Sequence, residues 1–429
     1  MRKSVIGAAL LAVLFAGPAA AQQASSGVSP FVMNTLFIVF CGVLCMWMTA
    51  GFAMVEAGFV REKNVVNQCA KNIGLFAIAS TAFVLSGYGF MFPNGGWILS
   101  GILGFEGAIE ITDVVESNAD FIGRGHAGAG DIFFQSMFCV AVASIVSGTI
   151  AERMKLAPFF IFTAMLTAVI YPIQASWTWG GGFLASDLGF IDLAGSSVVH
   201  VVGGVAALTG ALFVGARTGR FVDGKKMPLG NYSMPLATIG ALILWMGWYG
   251  FNAGSYLSFS TDADAANVSR IFLNTNLAAA GGVIVAAFVS YFRESRFDLG
   301  FMLNGALAGL VSITAEPLFP SPFTAFLIGM AGGLILFWAT QLLDYFQVDD
   351  VVGAIPVHLF CGIWGTLAVA ISNPDATVLG QLSSVLIIIV YVAVATSLVW
   401  FALKETFGLR VTTDTEDAGI DQSDYVLSN

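Results

Sequence analysis

The chain has 429 residues, of which 57% are hydrophobic and 10% are charged, and its mean hydropathy is +0.84. Soluble globular domains do not have such a composition, which indicates an integral membrane protein. The formal net charge of -10 argues against the basic surface that nucleic-acid binding needs, so we expect no nucleic-acid partner.

The amino-terminal end has the three parts of a secretory signal peptide. A basic start at Arg2 and Lys3 precedes an apolar run over 5–16 and a small-residue cleavage site at 19–21. A first transmembrane anchor is the alternative, but the apolar run is short for a membrane span. The predicted domains are therefore a cleaved signal peptide over 1–21, a membrane domain over 22–403 and a cytoplasmic tail over 404–429.

Apolar runs long enough to cross about 30 Å of hydrocarbon as helices follow the signal peptide. There are eleven, over 32–58, 69–92, 131–150, 157–176, 194–215, 234–256, 269–291, 300–315, 322–343, 353–371 and 380–403. With the amino terminus outside, an odd number of spans puts the carboxyl terminus in the cytoplasm. Lys and Arg favour cytoplasmic loops. In this topology, only Arg124 and Arg270 of the basic residues beyond the signal peptide fall outside, whereas Lys71 and the other Lys and Arg residues fall inside. We therefore predict a multi-pass protein of the cell inner (cytoplasmic) membrane.

The polar residues of the predicted outer loops offer few specific signals. Most of the acidic residues there are interpreted as solvated charges, which together give the outer surface an attraction for cations. His126, in the loop GRGHAGAG, is expected to be exposed. The five cysteines lie within or at the edges of apolar runs without metal-ligand pairing, so we expect neither a disulfide framework nor a metal site.

One pattern occurs twice, as DLAGSSVVHVVGG at 192–204 and as DVVGAIPVHLFCG at 350–362, with Asp, Gly, Val, His and Gly at the same offsets. The copies contain His200 and His358, two of only three histidines in the chain. They begin the fifth and tenth predicted spans, so an odd number of crossings separates them and the repeat is inverted, as in many transporters. Each Asp opens its helix, where a carboxylate caps free N–H groups, and each His lies about 12 Å deeper at about 1.5 Å per residue. Both imidazoles should therefore approach the middle of the membrane from opposite sides.

The inverted duplication favours a functional histidine pair over two buried structural residues, because ionisable groups inside membranes usually mark substrate or proton paths. Gly204 and Gly362 lie one turn beyond the histidines on the same helical face. The space that they leave serves either a conduit or close helix packing. Pro356 removes a helix N–H just before His358, so we expect irregular backbone in the second copy.

The sequence resembles the ammonium transporter (Amt/MEP/Rh) family, and its Amt branch closely, from about residue 31 to residue 421. The resemblance rests on DLAGSSVVH, GWYGFNAGS, TWGGGF, AERMK and DVVGAIPVHLFCGIWG, in the family's order and with near-family spacing. It implies an all-α membrane fold of eleven transmembrane helices, built as an inverted 5+5 repeat plus a final helix. It also implies a homotrimer with one narrow apolar pore per subunit, transport of ammonium or methylammonium, and neither enzymatic activity nor a cofactor.

The resemblance also implies roles for individual residues of this sequence. Substrate recruitment is implied for Trp179, Ser255, Phe138 and Asp192, and a phenyl gate is implied for Phe138 and Phe251. The pore is implied to be lined by His200 and His358, and structural support is implied for Asp350. Asp192 is implied to support the recruitment site structurally. Independently of the family, Phe251 and Ser255 lie one turn apart on one helical face with the serine nearer the outside. An incoming cation would therefore meet the hydroxyl before the ring.

These features lead to a hypothesis for transport. An isolated charge at the bilayer centre costs at least about 2.5 kcal/mol, so an ammonium ion is expected to lose its proton behind the phenyl gate. Uncharged NH3 then passes two neutral imidazoles, each with one donor and one acceptor nitrogen, and the hydrogen-bonded pair can relay the proton. Net NH4+ transfer, which is electrogenic, is the favoured version, and NH3 passage with the proton left outside is the alternative.

The sequence also bears on other functions. A Rh-type electroneutral channel for NH3 or CO2 is expected to lack the pair formed by Trp179 and Ser255. An ammonium sensor is a further alternative, although the tail after Leu409 is too short for a kinase or cyclase domain. An intramembrane metalloenzyme is disfavoured because neither pore histidine is followed by a helical Glu-x-x-His arrangement, and GKK at 224–226 lacks the rest of an ATP-binding phosphate loop.

The tail GLRVTTDTEDAGIDQSDY leaves two alternatives open. It begins like the tail that meets a PII-type signal protein at the cytoplasmic face in the family, but it lacks the usual His-Gly-Glu ending. A PII-type partner and an acidic, solvated tail are therefore both retained.

Overall fold

The computed structural model describes residues 28–107 and 125–424, so the predicted signal peptide and Arg124 lie outside the described residues. Within these ranges, eleven apolar helices lie where the sequence predicts them. They are α1 Pro30–Phe59, α2 Glu62–Met91, α3 Gly128–Thr149, α4 Leu156–Ser176, α5 Ser196–Val214, α6 Met234–Gly254, α7 Asp262–Glu294, α8 Leu299–Ile313, α9 Pro322–Tyr345, α10 Ile355–Ser372 and α11 Val378–Phe407. The predicted all-α membrane fold is confirmed.

Ten of these helices in the described ranges are long and apolar enough to cross a membrane. The exception is α8, which has 15 residues. Its length is about 22 Å at about 1.5 Å per residue, less than a typical hydrocarbon core. The count of eleven spans therefore stays a prediction.

Short elements connect the long helices. Two antiparallel hairpins pair β1 with β2 and β3 with β4. Their strands are β1 Trp97–Leu99, β2 Leu103–Gly104, β3 Phe221–Val222 and β4 Lys225–Lys226, and further short helices cover Phe183–Ser186, Thr413–Ala418 and Ile420–Asp424.

Hydroxyl side chains determine where several apolar helices begin. Ser29, Ser233, Ser321 and Thr377 each accept a hydrogen bond from a free N–H group of the first turn. Proline lies in the first turn after each of the three serines, where its missing N–H costs nothing. These caps give defined starts to α1, α6, α9 and α11.

The centre of the bundle is formed by α3 and α5. The most apolar 18-residue window of α3 is 94% buried and that of α5 is 83% buried, against 28% for α11. The outer face of α11 is an exposed stripe of Leu382, Leu386, Val390, Val394 and Leu398. Such a stripe suits lipid or another protein surface rather than water. The helix α5, which contains the first histidine segment, and its neighbour α3 thus lie in the core, shielded by the other helices.

The bundle has a Trp179 end and an Asp350 end. Asp192 and Ser255 lie at the Trp179 end, together with a large cavity. Arg153 lies at the Asp350 end, where its guanidinium donates to the main-chain oxygen of Asp349 at 2.7 Å.

A network of buried charges ties the helix ends together at the Asp350 end. Arg217 binds Asp349 at 2.8 Å and Glu152 at 3.3 Å, and Glu152 also binds Arg61 at 2.6 Å. Burial alone would raise the pKa of Asp349. The hydrogen bonds from Arg217 and the charges of Arg153 and Arg217 instead hold that pKa well below its usual range.

The tail packs against the Asp350 end. Asp421 accepts hydrogen bonds from the N–H groups of Val66 and Asn67 at 2.9 and 2.7 Å, and so caps the first turns of α2. Glu416 and Ile420 are each 1% exposed. The interpretation of a solvated acidic tail is therefore wrong for Glu416, which pairs with Arg410, and for Asp421, which caps a helix, whereas Asp414 and Asp417 are exposed. The final helix ends at Phe407, beyond the boundary expected at residue 403.

Candidate functional site

The two copies of the repeated pattern begin in the same way. Asp192 accepts hydrogen bonds at 2.7 to 2.9 Å from four N–H groups, those of Gly195, Ser196, Ser197 and Val198. Asp350 accepts from the N–H groups of Gly353 and Ile355 at 3.1 and 2.6 Å. Gly195 and Gly353 have φ angles of 109° and 80°. Glycine adopts such angles without strain, and the resulting turn directs the following N–H groups at the carboxylate.

Both histidines lie on one turn of π-helix at the start of their helices, Ser196–Val201 in the first copy and Ile355–Phe360 in the second. The His200 N–H donates to the Gly195 carbonyl, five residues back, at 3.0 Å. The irregular backbone expected from Pro356 is confirmed. The same irregularity in the first copy, which has no proline, was not predicted. Such widened turns occur often at functional sites.

The two histidines meet in the core. The Nδ1 atoms of His200 and His358 are 3.1 Å apart, and the ring centroids are 5.1 Å apart. The side chains belong to residues that are 1% and 2% exposed. At this distance the Nδ1–H group of one ring donates a hydrogen bond to the Nδ1 atom of the other. The two neutral imidazoles therefore form one hydrogen bond. The Nε2 atom of His200 is buried without a partner and remains free to bind a small molecule.

The glycines beyond the histidines allow close helix packing, which decides between the two alternatives left by the sequence. A Cβ atom on Gly204 would lie 2.5 Å from the Leu359 nitrogen, and one on Gly362 would lie 2.6 Å from the Ser196 carbonyl oxygen. Gly362, four residues after His358, thus contacts Ser196, four residues before His200, while the two histidines contact each other. The two copies therefore run antiparallel, as an inverted repeat requires.

A stack of aromatic rings lies between the histidine pair and the Trp179 end. Phe138 and Phe251 are stacked with centroids 3.9 Å apart and an interplanar angle of 18°. Phe251 lies 5.6 Å from His200, and Phe138 meets Trp179 edge to face at 5.9 Å. Both phenylalanines are at most 1% exposed. The rings therefore close the route between the Trp179 end and His200.

A cavity of about 750 Å³ opens beyond these rings at the Trp179 end, lined by Trp179, Ser255, Phe138 and Asp192 among others. The Trp179 Nε1–H donates to the Asp192 carbonyl oxygen at 2.8 Å, which fixes the indole. The Ser255 hydroxyl donates to the Phe251 carbonyl at 2.9 Å. The serine oxygen thus keeps its lone pairs for an N–H donor.

The cavity has an acidic wall. Asp131, Asp192 and Glu316 line it, and the described lining residues include no Lys or Arg. These three acids are 1%, 3% and 6% exposed, so the interpretation of solvated loop charges is wrong for Asp131 and Glu316. Burial raises the pKa of Asp192 to about 6 against the lowering effect of its four backbone hydrogen bonds. Burial likewise raises the pKa of Glu316, although Asn373 donates to it. Carboxylates here favour a cation.

His126 is buried, and the expectation that it would be exposed is wrong. It is 1% exposed and lines the same cavity, with Nε2 3.6 Å from Asp131 Oδ1. The loop is held against α1, because Asn34 donates to the Gly125 carbonyl at 3.1 Å and Thr35 accepts from the Ala127 N–H at 3.0 Å. Anchors on a distant helix give no local signal in the loop sequence.

Other residues at the site were also missed. Trp248 stacks on His200 at 5.0 Å and donates its Nε1–H to Thr314 Oγ1 at 2.8 Å. Its position three residues before Phe251 in GWYGFNAGS is a signal that could have found it. Lys71, counted among the cytoplasmic charges, is instead buried within α2 and lies 3.4 Å from Glu56 on α1. A lone carboxylate in the apolar run 32–58 was the available signal.

The predicted residues thus come together as one row, from the cavity with Trp179 and Ser255, through Phe138 and Phe251, to His200 and His358. Asp350 lies apart from the row at the other end and supports the second histidine segment through its backbone hydrogen bonds.

Comparisons with known proteins agree on one family. A model described as the Ammonium Transporter Family matches residues 36–429. Ammonium transporter Amt2 of Archaeoglobus fulgidus is 37% identical over 423 residues, which cover 92% of this chain and 87% of that protein. A solved structure of a sensor Amt protein has a TM-score of 0.84 and 32% identity, covering 92% of this chain and 99% of its own. The crystal structure of Candida albicans Mep2 has a TM-score of 0.78 and 26% identity, covering 89% and 87%.

Proposed function

Since the chain belongs to the ammonium transporter family and is a multi-pass membrane protein rather than an enzyme, we propose that it takes up ammonium across the cytoplasmic membrane. The observation that supports this most directly is the continuous row of an acidic cavity, a closed pair of phenyl rings and a buried histidine pair. In this proposal the Trp179 end faces outward and the Asp350 end faces the cytoplasm.

Recruitment takes place in the acidic cavity. The ion lies between the faces of Trp179 and Phe138 and donates one N–H to the Ser255 hydroxyl, while the carboxylates of the wall favour its charge. An aromatic face attracts a small cation by about 0.5 to 2 kcal/mol. Asp192 contributes structurally, because its carbonyl oxygen holds the indole and its carboxylate caps α5.

Deprotonation follows from the energetic cost of the next step. A charge at the bilayer centre costs at least about 2.5 kcal/mol, more than one aromatic contact supplies, and the route beyond Phe138 and Phe251 contains apolar rings. The ion therefore gives up its proton at the gate to the histidine pair, which accepts it at His200, and NH3 passes the phenyl rings as they move apart.

The histidine pair then serves the neutral molecule and the proton separately. NH3 binds the free Nε2 atom of His200, with which it exchanges one hydrogen bond. The proton crosses the Nδ1 contact to His358, which makes net transfer electrogenic. A Rh-type electroneutral channel would use the same pair without the proton transfer.

The remaining parts of the proposal concern processing and assembly. Residues 1–21 are removed as a signal peptide, and residues 404–429 form a cytoplasmic tail. The exposed apolar faces of the outer helices meet lipid and, in a homotrimer, the neighbouring subunits. A PII-type signal protein binds the cytoplasmic face beside the docked tail.

Purified protein in liposomes tests the transport proposal. An ammonium concentration jump should give a transient current together with a change in luminal pH. A luminal pH change without current would overturn the electrogenic version and favour the Rh-type alternative. Absence of both signals from correctly inserted, folded protein would defeat transport altogether.

A sensor is the second candidate function, because a solved structure to which this chain is 32% identical is a sensor Amt protein. A sensor would bind ammonium in the cavity without sustained flux. Ammonium-dependent thermal stabilisation in detergent, combined with an absence of both liposome signals, would favour it.

A further inference from the structure

A pair of opposite charges is buried where the proposed transport route leaves His358. Lys71 Nζ lies 3.4 Å from Glu56 Oε2 and donates to the Ser147 carbonyl at 2.8 Å. The Ser147 hydroxyl donates to the same Glu56 oxygen at 2.9 Å. The two side chains are 2% and 1% exposed. One oxygen of Glu56 is thus fully engaged, but the other, Oε1, is buried without a hydrogen-bond partner.

This carboxylate and His358 line the same small cavity. Its volume is about 20 Å³, and Ser144 and Asn304 also line it. A cavity of about 10 to 15 Å³ on this measure holds one water molecule, and ammonia is of similar size. The Ser144 hydroxyl, like Glu56 Oε1, has no partner. The cavity therefore offers polar atoms to one small hydrogen-bonding molecule.

The order of groups along α1 places Glu56 after the histidine. Phe52 contacts the His358 ring at a centroid distance of 6.5 Å. Glu56 follows Phe52 by one helical turn on the same face, about 6 Å further towards the Asp350 end. A molecule that leaves His358 towards that end meets the Glu56 cavity next.

The buried pair lacks an evident structural need for charge. Apolar side chains of similar size would pack α1 against α2 without the desolvation of two ions. Ionisable groups kept inside a membrane span generally serve a substrate or a proton. The transport scheme, in turn, delivers NH3 and a proton to His358 separately and leaves their recombination unassigned.

We propose that the cavity between His358 and Glu56 is a second ammonia site, in which Glu56 returns the proton to NH3 before release. The inference rests on the proposed electrogenic transport. Lys71 is a positioning residue, which supplies the counter-charge for the carboxylate.

The step balances in protons and charge. His358 transfers the relayed proton to Glu56, which becomes the neutral acid. The O–H bond of Glu56 then breaks as an N–H bond forms on NH3, giving NH4+ and the carboxylate paired with Lys71. Over one cycle Glu56 is unchanged, and one NH4+ has been delivered.

The test removes both charges together, because loss of one partner alone would leave the other buried without compensation. The double variant Glu56→Gln/Lys71→Met should lower the ammonium-induced current of full-length protein in liposomes at least tenfold. Luminal pH recording should still report NH3 entry. The matched control Arg293→Gln/Glu294→Gln removes an exposed ion pair that does not line the cavity and should keep the wild-type current.

Two further variants keep the inference testable if the double variant does not fold. Glu56→Asp retains a carboxylate and should retain more current than Glu56→Gln. Ser144→Val leaves the ion pair intact, fills the cavity and should lower current and NH3 entry together.

The outcomes separate this inference from the transport proposal. Wild-type current in folded Glu56→Gln/Lys71→Met would overturn the role of the cavity and leave the transport proposal intact. If that double variant does not fold, wild-type current in Ser144→Val would have the same consequence. Wild-type protein that passes NH3 without current would overturn the proton return alone. Wild-type protein with neither signal would defeat the transport proposal, and this inference with it.

Discussion

Replacing Gly204 with alanine should separate the two histidine segments without touching either imidazole. The added Cβ would lie 2.5 Å from the Leu359 nitrogen and 2.8 Å from its Cα. These are backbone atoms, so no side-chain rotation relieves the clash. The two segments must instead move apart.

The size of the movement follows from the contact distances. Ordinary contact begins near 3.4 Å, so the Leu359 backbone must retreat by about 0.9 Å. The Nδ1 atoms of His200 and His358 are now 3.1 Å apart, and such a shift moves them beyond the usual hydrogen-bond range. Overpacking of this kind costs about 1 to 3 kcal/mol of stability. A lost hydrogen bond of about 1 kcal/mol corresponds to about a fivefold lower rate.

The assay compares Gly204→Ala with wild type by thermal unfolding in detergent and by ammonium-induced current in liposomes. Both the unfolding temperature and the current should fall. Gly300→Ala is the control, because its nearest neighbour is the Phe59 side chain at 3.2 Å, which can rotate away. Wild-type current and stability in Gly204→Ala would refute the idea that close backbone packing holds the histidine pair together.

Two further predictions concern the ends of the bundle. Trp179→Ala removes the recruiting ring and should raise the half-saturating ammonium concentration by about 2- to 30-fold, because the cation–π attraction that is lost is about 0.5 to 2 kcal/mol. An unchanged half-saturating concentration would contradict recruitment by the ring. Asp349→Asn removes one of the two carboxylates that bind Arg217, leaving Glu152 at 3.3 Å, and should lower the free energy of unfolding by about 1.5 to 3 kcal/mol. Because the pKa of Asp349 is held below its usual range, its stabilisation is present above the unfolded value of about 3.9 and is lost as the pH falls below it. Thermal unfolding between pH 3 and pH 7 should therefore show an acid-side loss in wild type that is smaller in Asp349→Asn, and equal losses would argue against this ion pair.

The histidine pair could be predicted because its information is local. The spacing from Asp to His is the same in 192–204 and 350–362, and a fixed rise per residue converts equal spacing into equal depth. The sequence could not show that His200 lies on a π-turn, because that copy has no proline. The widened turn arises from the left-handed Gly195 and the four hydrogen bonds to Asp192.

The burial of His126, Glu56 and Lys71 depends on contacts between distant segments. The His126 loop is anchored by α1 residues about ninety positions earlier in the chain. The predicted second span over 69–92 already contained Lys71, yet the residue was counted with the cytoplasmic charges, whereas the helix begins at Glu62 and buries it. Tertiary partners, rather than local pattern, decided these positions.

The exposure of the tail was equally hard to predict. Its composition is acidic and polar, which favours solvation in isolation. In the structure Asp421 caps the N–H groups of Val66 and Asn67, and Arg410 binds Glu416 at 2.6 Å. The carboxylates are buried because their partners lie on the first turns of α2 and within the tail itself.

Ammonium-induced current in liposomes with the His200→Ala/His358→Ala variant tests the proposed pore most directly. The variant must first match wild type in oligomeric size and unfolding temperature, so that a loss is not one of folding. Loss of the electrogenic ammonium signal at equal protein density is the expected result. Unchanged current and unchanged methylammonium uptake in this variant would contradict the assignment of the histidine pair to the transport route.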